Sequence, residues 1–204
     1  MKTLLNMVAA AVLGCTTSLA WSATPAKAAP AAVKPAHQAA ANQLLAAQSE
    51  VRFSAKQMGV AMPGLFQKIA GSLQWDAKQP AASHIRLEIP LASASVGDAA
   101  MDAELLKPEW FGAKQFPKAV FESRSVRPLG GNRYEVQGQL SIKGVSLPVK
   151  TVASVAAQGA TSTATGQLDM ARLAYKIGLG AWGDTSVVAD AVQVQYRIQF
   201  KTNP

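Results

Sequence analysis

From about Ser49 onward the chain alternates apolar and polar residues with a period of two. Val51, Phe53 and Ala55 alternate with Arg52, Ser54 and Lys56, and Ile85, Leu87, Ile89 and Leu91 alternate with His84, Arg86 and Glu88. Tyr134, Val136, Leu140 and Ile142 are interleaved with Arg133, Glu135, Gln137, Gln139, Ser141 and Lys143. The last run is the most regular: Val192, Val194, Tyr196, Ile198 and Phe200 against Gln193, Gln195, Arg197, Gln199 and Lys201. Such alternation gives each strand one dry and one wet face, the habit of antiparallel sheets. Pro63-Gly64, Gly130-Gly131-Asn132 and Gly183-Asp184 read as turns between strands. About eight such strands predict a mainly β fold, either a closed up-and-down barrel or a two-sheet sandwich. In this register Leu87, Leu140, Val194 and Tyr196 point inward, and Arg86, Gln139, Gln195 and Arg197 point to solvent.

One segment breaks the pattern. From Asp98 to Lys107, acidic residues come early, Lys107 comes late and Pro108 follows, which are the start and stop signals of a short helix. Behind it Trp110, Phe111, Phe116 and Phe121 crowd into a loop that runs into the next strand. These rings, with Leu105 and Leu106, either plug a core or line something the protein binds.

The N-terminal part follows different rules. Lys2 precedes an apolar run from Leu4 to Gly14, too short to span a bilayer and long enough for the core of an export signal. Ser18 and Ala20 suit signal-peptidase cleavage after residue 20, which predicts a periplasmic product beginning at Trp21. The alternative is lipid anchoring through Cys15 in "VLGC", where Leu13 departs from the small or β-branched residue usual before the Gly. Cys15 is the only cysteine, so no intrachain disulfide can form. Residues 21–48 are rich in Ala, Pro and Lys and have too little large apolar surface to offset ordering. They predict a linker, with at most a short helix near Ala39 to Gln48. Residues 49–204 form the expected domain.

Catalytic chemistry is not visible. His37 lies in the linker and His84 on a polar strand face, and no Cys/His cluster has metal-ligand spacing. "GLGAWG", Gly178 to Gly183, lacks the strand-then-helix context of a phosphate loop. Asp98, Asp102 and Glu104 sit on the predicted surface helix rather than on a dry face. The expectation is a protein that is not an enzyme and carries no cofactor. The net charge is +8, and about +5 without Lys2, Lys27 and Lys34. This excess is spread over polar strand faces, which excludes a nucleic-acid surface and leaves attraction to an anionic membrane surface open.

Five stretches in order, "SEVRFSAKQMGV", "PGLFQKIAGSLQWD", "DAELLKPEWFGAKQFPKAVFES", "YEVQGQLSIKGVSLPV" and "ARLAYKIG" with Arg172, resemble the YceI-like family of bacterial polyisoprenoid-binding periplasmic proteins. The resemblance covers about Ser49 to Lys201. It implies a lipocalin-like antiparallel barrel whose apolar bore holds an isoprenoid lipid, a polyprenyl chain or a quinone tail. The residues it implies for that bore and its lid are Phe53, Phe66, Leu87, Ile89, Leu105, Trp110, Phe111, Phe116, Phe121, Leu140, Ile142, Val194 and Tyr196. Gln57 stands where many relatives have His, and Ala174 where many have Asp or Asn, so a headgroup preference does not carry over. Relatives are also associated with membrane cytochromes of the b561 type, which implies a second reading: a module that docks such a partner.

Overall fold

The computed structural model describes residues 41–202, so the expected signal segment, Cys15, His37 and the linker up to residue 40 lie outside the described residues. Eleven strands follow one another: β1 (Ala41–Leu44), β2 (Glu50–Gln57), β3 (Val60–Phe66), β4 (Ala70–Gln74), β5 (His84–Pro90), β6 (Ala94–Ser95), β7 (Lys118–Gly130), β8 (Arg133–Ile142), β9 (Val145–Gln158), β10 (Thr161–Ala171) and β11 (Ala191–Lys201). All ladder pairings are antiparallel. β4, β5, β7, β8, β9, β10 and β11 are neighbours in chain order, and β1 closes the ring by pairing with β4 on one side and β11 on the other. The result is an eight-stranded up-and-down barrel, with the β2–β3 hairpin and the short β6 continuing the sheet from the other end of β11. Among the described residues no helix is long and apolar enough to cross a membrane.

The inward faces follow the alternation. Val51, Val136, Ile198 and Phe200 are buried with Leu73 and Trp75 in one apolar cluster. A second cluster gathers Leu91, Phe111, Ile142, Tyr175 and Ile177 at the opposite end of the same strands. The outer faces carry ion pairs such as Arg86 with Glu88 and Glu122, and Lys118 with Glu88. The helix α1 (Ala99–Leu105) begins where expected, with the Asp98 carboxylate accepting the Met101 N–H.

Two sequence expectations are corrected. The helix expected near Ala39 to Gln48 is not found among its described residues: Ala41–Leu44 is strand β1, and only Ala46–Gln48 makes a 3-10 turn. The barrel therefore includes residues ahead of the expected boundary at Ser49. Asn42 is buried and its side-chain oxygen accepts the Trp75 N–H, and Leu44 packs against the first apolar cluster, so the strand is held by the edges of β4 and β11 together with these two side chains. Pro63-Gly64 is not a turn either, because it lies inside β3. Pro63 is tolerated there because β6 pairs β3 only at Leu65 and Phe66, leaving the edge beside Pro63 without a ladder partner among the described residues. The turn falls instead at Met58-Gly59, both with positive φ (48° and 83°), a left-handed pair that suits a tight hairpin.

Candidate functional site

Two cavities lie one above the other along the barrel axis. The first, about 150 Å³, is lined by residues such as Trp75, Leu87, Phe121, Tyr134, Tyr196 and Phe200. The second, about 140 Å³, is lined by Phe53, Phe66, Leu105, Trp110, Phe111 and Ile142 among others. Their axial order follows from the strands: β11 passes from Val192 in the second lining to Phe200 in the first, and β8 runs the other way from Tyr134 to Ile142. Val51, Ile89, Ala119, Leu140 and Val194 belong to both linings and form the wall at their junction. The two spaces are successive stations of one bore.

The inner wall is mostly apolar, and the Thr151 and Tyr196 hydroxyls and the Arg172 guanidinium that reach it are already engaged in internal hydrogen bonds. Thr151 Oγ donates to the Gln167 carbonyl at 2.7 Å, so the 3.1 Å contact with Tyr196 requires the tyrosine hydroxyl to donate to Thr151. Burial pushes the Tyr196 phenol above its ordinary value, with the Thr151 bond opposing. Arg172 is 2% exposed and spends all five guanidinium N–H groups on backbone carbonyls: Ala189, Ile177, Gly178, Trp182 and Val188. Burial lowers its pKa while Asp190 opposes. The guanidinium thereby gathers the chain between β10 and β11 into a closed loop over one end of the bore.

The aromatic loop behind α1 is fastened to that loop. The Glu109 carbonyl accepts the N–H groups of Gly178 and Leu179 at 2.8 and 3.0 Å, and the Trp110 and Trp182 rings lie 5.4 Å apart. Lys143, at the β8–β9 turn, donates to the carbonyls of Lys176 at 2.6 Å and Glu109 at 3.4 Å, tying three segments together. Burial pulls the Lys143 ammonium below its usual range, with Lys176 adding to this and Glu109 opposing. Trp110 Nε1 is buried and has no partner among the described residues.

Of the residues singled out from the sequence, Leu87, Phe121 and Tyr196 line the first cavity, and Phe53, Phe66, Leu105, Trp110, Phe111 and Ile142 the second; Ile89, Leu140 and Val194 line both. Phe116 and Leu106 line neither: Phe116 packs against the second apolar cluster and beside Gly112 and Gly144. The far end of the bore was missed, where Trp75 meets Tyr134 edge to face at 4.7 Å beside Leu73 and Phe200. Their aromatic and alternating character was the available signal. Gln57, bridged to Val188, and the exposed Ala174 lie outside both linings. Among the described residues no three His, Cys, Asp or Glu side chains are grouped to hold a metal ion.

This architecture recurs in known proteins. BcnA of Burkholderia cenocepacia superposes with a TM-score of 0.73 at 38% identity, over 75% of this chain and 96% of that one. A polyisoprenoid binding domain from Saccharophagus degradans, implicated in plant cell wall breakdown, superposes at 0.67 over 80% of this chain and 99% of its own; its 16% identity bears on the fold alone. A UPF0312 protein of Azotobacter vinelandii is 29% identical over 110 residues, and one of Yersinia pestis is 32% identical over 110. Each of these two matches covers 53% of this chain and 57% of the relative, so the chain spans little more than half the length of those relatives. The family model of the YceI-like domain matches residues 43–200, from β1 to the end of β11. The barrel is thus covered from its closing strand to its last, and the chain belongs to the YceI-like domain family.

Proposed function

We propose that the protein is a periplasmic carrier that holds an isoprenoid lipid, a polyprenyl chain or a quinone tail, in the barrel bore. The observation that carries this reading is the pair of stacked apolar cavities, where the Thr151 and Tyr196 hydroxyls and the Arg172 guanidinium are spent on internal hydrogen bonds. Such a wall offers much to a hydrocarbon and little to a polar group. The polyisoprenoid binding described for the Saccharophagus degradans domain supports the same class of ligand.

Magnitudes refine the picture. An apolar cavity of about 150 Å³ holds a benzene-sized group, so each station takes about one isoprene unit as it stands. A longer chain has to thread both stations and part the side chains they share, Leu140 and Val194 among them. Each buried methylene contributes about 0.8 kcal/mol, so a few units suffice for micromolar binding after ordering costs.

Location follows the N-terminal pattern of Lys2, the apolar run to Gly14, and Ser18 and Ala20. The decisive experiment is organic extraction of the protein purified from its native host, followed by mass spectrometry. A prenyl-tailed lipid approaching one per chain is expected; protein that is empty, or that holds only straight-chain acyl lipids, would defeat the proposal. Intact mass read on the same sample should show a chain beginning at Trp21, and an acylated Cys15 would overturn the soluble form.

A further inference from the structure

Gly64, Gly138 and Gly166 occupy bore-facing strand positions, and each lies under an aromatic ring from the neighbouring strand. Gly64 on β3 is the direct ladder partner of Phe53, and Gly166 on β10 is that of Tyr196. Gly138 on β8 lies two residues from Leu140, the partner of Phe121, and the Phe121 ring reaches diagonally over it. A Cβ at any of the three would come within 3.0 Å of the covering ring. Glycine inside a strand forfeits packing and entropy, so its repeated use under rings points to close approach rather than to strand stability. All three rings line the bore.

We propose that these glycines gauge the bore: by letting Phe53, Phe121 and Tyr196 lie flat on the barrel wall, they set the width of ligand that fits. Each ring covers the hollow its glycine leaves, as aromatic residues rescue strand glycines elsewhere, and so lines the lumen without obstructing it. The inference rests on the isoprenoid-carrier reading for its ligand, but its geometry stands on the wall itself.

Gly64 is the position where this can be isolated. The three nearest atoms to its added Cβ all belong to the Phe53 ring, whereas at Gly138 and Gly166 the Cβ would also meet the Glu122 or Val152 carbonyl. Phe66 lies 5.3 Å from Phe53, ring centre to ring centre, and is itself backed by Phe111 at 5.9 Å. Phe66 therefore closes one side of the ring, and the second cavity, which Phe53 lines, is open space into which a displaced ring can turn.

The test compares wild type, Gly64→Ala, Phe53→Leu and the double variant, each expressed as the full chain in the native host. Crystal structures, melting curves and mass spectrometry of extracted lipid are read on all four. Gly64→Ala should fold, turn the Phe53 ring into the lumen, and reduce bound lipid about tenfold or restrict it to slimmer chains. Phe53→Leu should widen the accepted range, and the double variant should regain wild-type occupancy. A Gly64→Ala chain that folds only when Phe53→Leu accompanies it still supports the contact, and Phe53→Leu then decides the gauge. An unchanged lipid range in Phe53→Leu, or a Gly64→Ala structure in which β3 moves outward and the lumen keeps its volume, overturns the inference. Wild-type protein carrying no lipid would remove the carrier reading, while ring position and cavity volume would still judge the gauge.

Discussion

Arg172 shows how much one side chain can organise. Its five N–H groups each hold a different carbonyl between Ile177 and Ala189, so its loss strands several acceptors at once. An unsatisfied buried group costs about 1–3 kcal/mol, with partial relief where water enters. Arg172→Met should therefore lower unfolding free energy by roughly 3–5 kcal/mol in urea titration, and expose the chain between Leu173 and Ala189 to limited proteolysis. Arg172→Lys, with three donors on a narrower head, should recover only part of this. Trp110 is the opposite case. Its Nε1 is buried without a partner among the described residues, so Trp110→Phe removes an unsatisfied donor while giving up some ring area. A melting temperature close to wild type is expected for Trp110→Phe, and a lower one with greater lipid loss for Trp110→Ala. None of these roles was visible in the sequence beyond the presence of the residues. The guanidinium clamp and the ring-on-glycine pairs depend on which backbone atoms meet across strands, and periodicity says nothing about that.

At the scale of strands, legibility tracked side-chain contrast. β2, β5, β8 and β11 alternate large apolar with charged or amide residues, and their inward faces were read in the correct register. β1, with the sequence ANQL, has little such contrast: beyond Leu44, which packs against the apolar cluster, it is set as a strand by the two edges it pairs with. Gly64 was misread because Pro-Gly is a turn signal, whereas here the proline sits on an edge with no ladder partner among the described residues and the glycine makes room for a ring. The register has a direct consequence on β5. Leu87→Asp puts a carboxylate into an apolar wall and should cost several kcal/mol or abolish folding. Arg86→Asp loses surface ion pairs with Glu88 and Glu122 and sets a like charge beside them, which at this exposed face costs about 1–2 kcal/mol and leaves the fold in place. Glu88 on the same strand is held below the usual carboxylate range, chiefly by its hydrogen bond from Lys118 and then by Arg86. Because folding favours its ionised form, its contribution is present above the ordinary glutamate value and is lost as pH falls through the depressed folded value. Glu88→Gln should flatten that acid limb of the stability profile, as followed by thermal melts from pH 6 down to about pH 3.

At the scale of the molecule, closure of the barrel distinguishes a bore from an open sheet. Sequence alternation narrowed the fold to a barrel or a sandwich, and resemblance favoured the barrel, but neither identified the strand that joins the two ends. β1 does so through two registers, Ala41 and Asn42 against Gln74 and Leu73, and Gln43 and Leu44 against Lys201 and Phe200. Asn42 adds the side-chain bond to the Trp75 N–H, and Trp75 with Tyr134 forms the far wall of the first cavity. Removing β1 therefore bares the edges of β4 and β11 beside that wall while leaving the aromatic loop at the other end intact. A chain shortened to begin at Ala41 should melt like the longer protein and keep its lipid. One shortened to Ser49 should melt lower, lose lipid from the Trp75 end, and aggregate through its uncovered edges. Differential scanning calorimetry and extraction of the two shortened chains separate the outcomes. Equal melting and equal lipid content would mean that β2 to β11 enclose the bore unaided and that β1 is only an accessory strand.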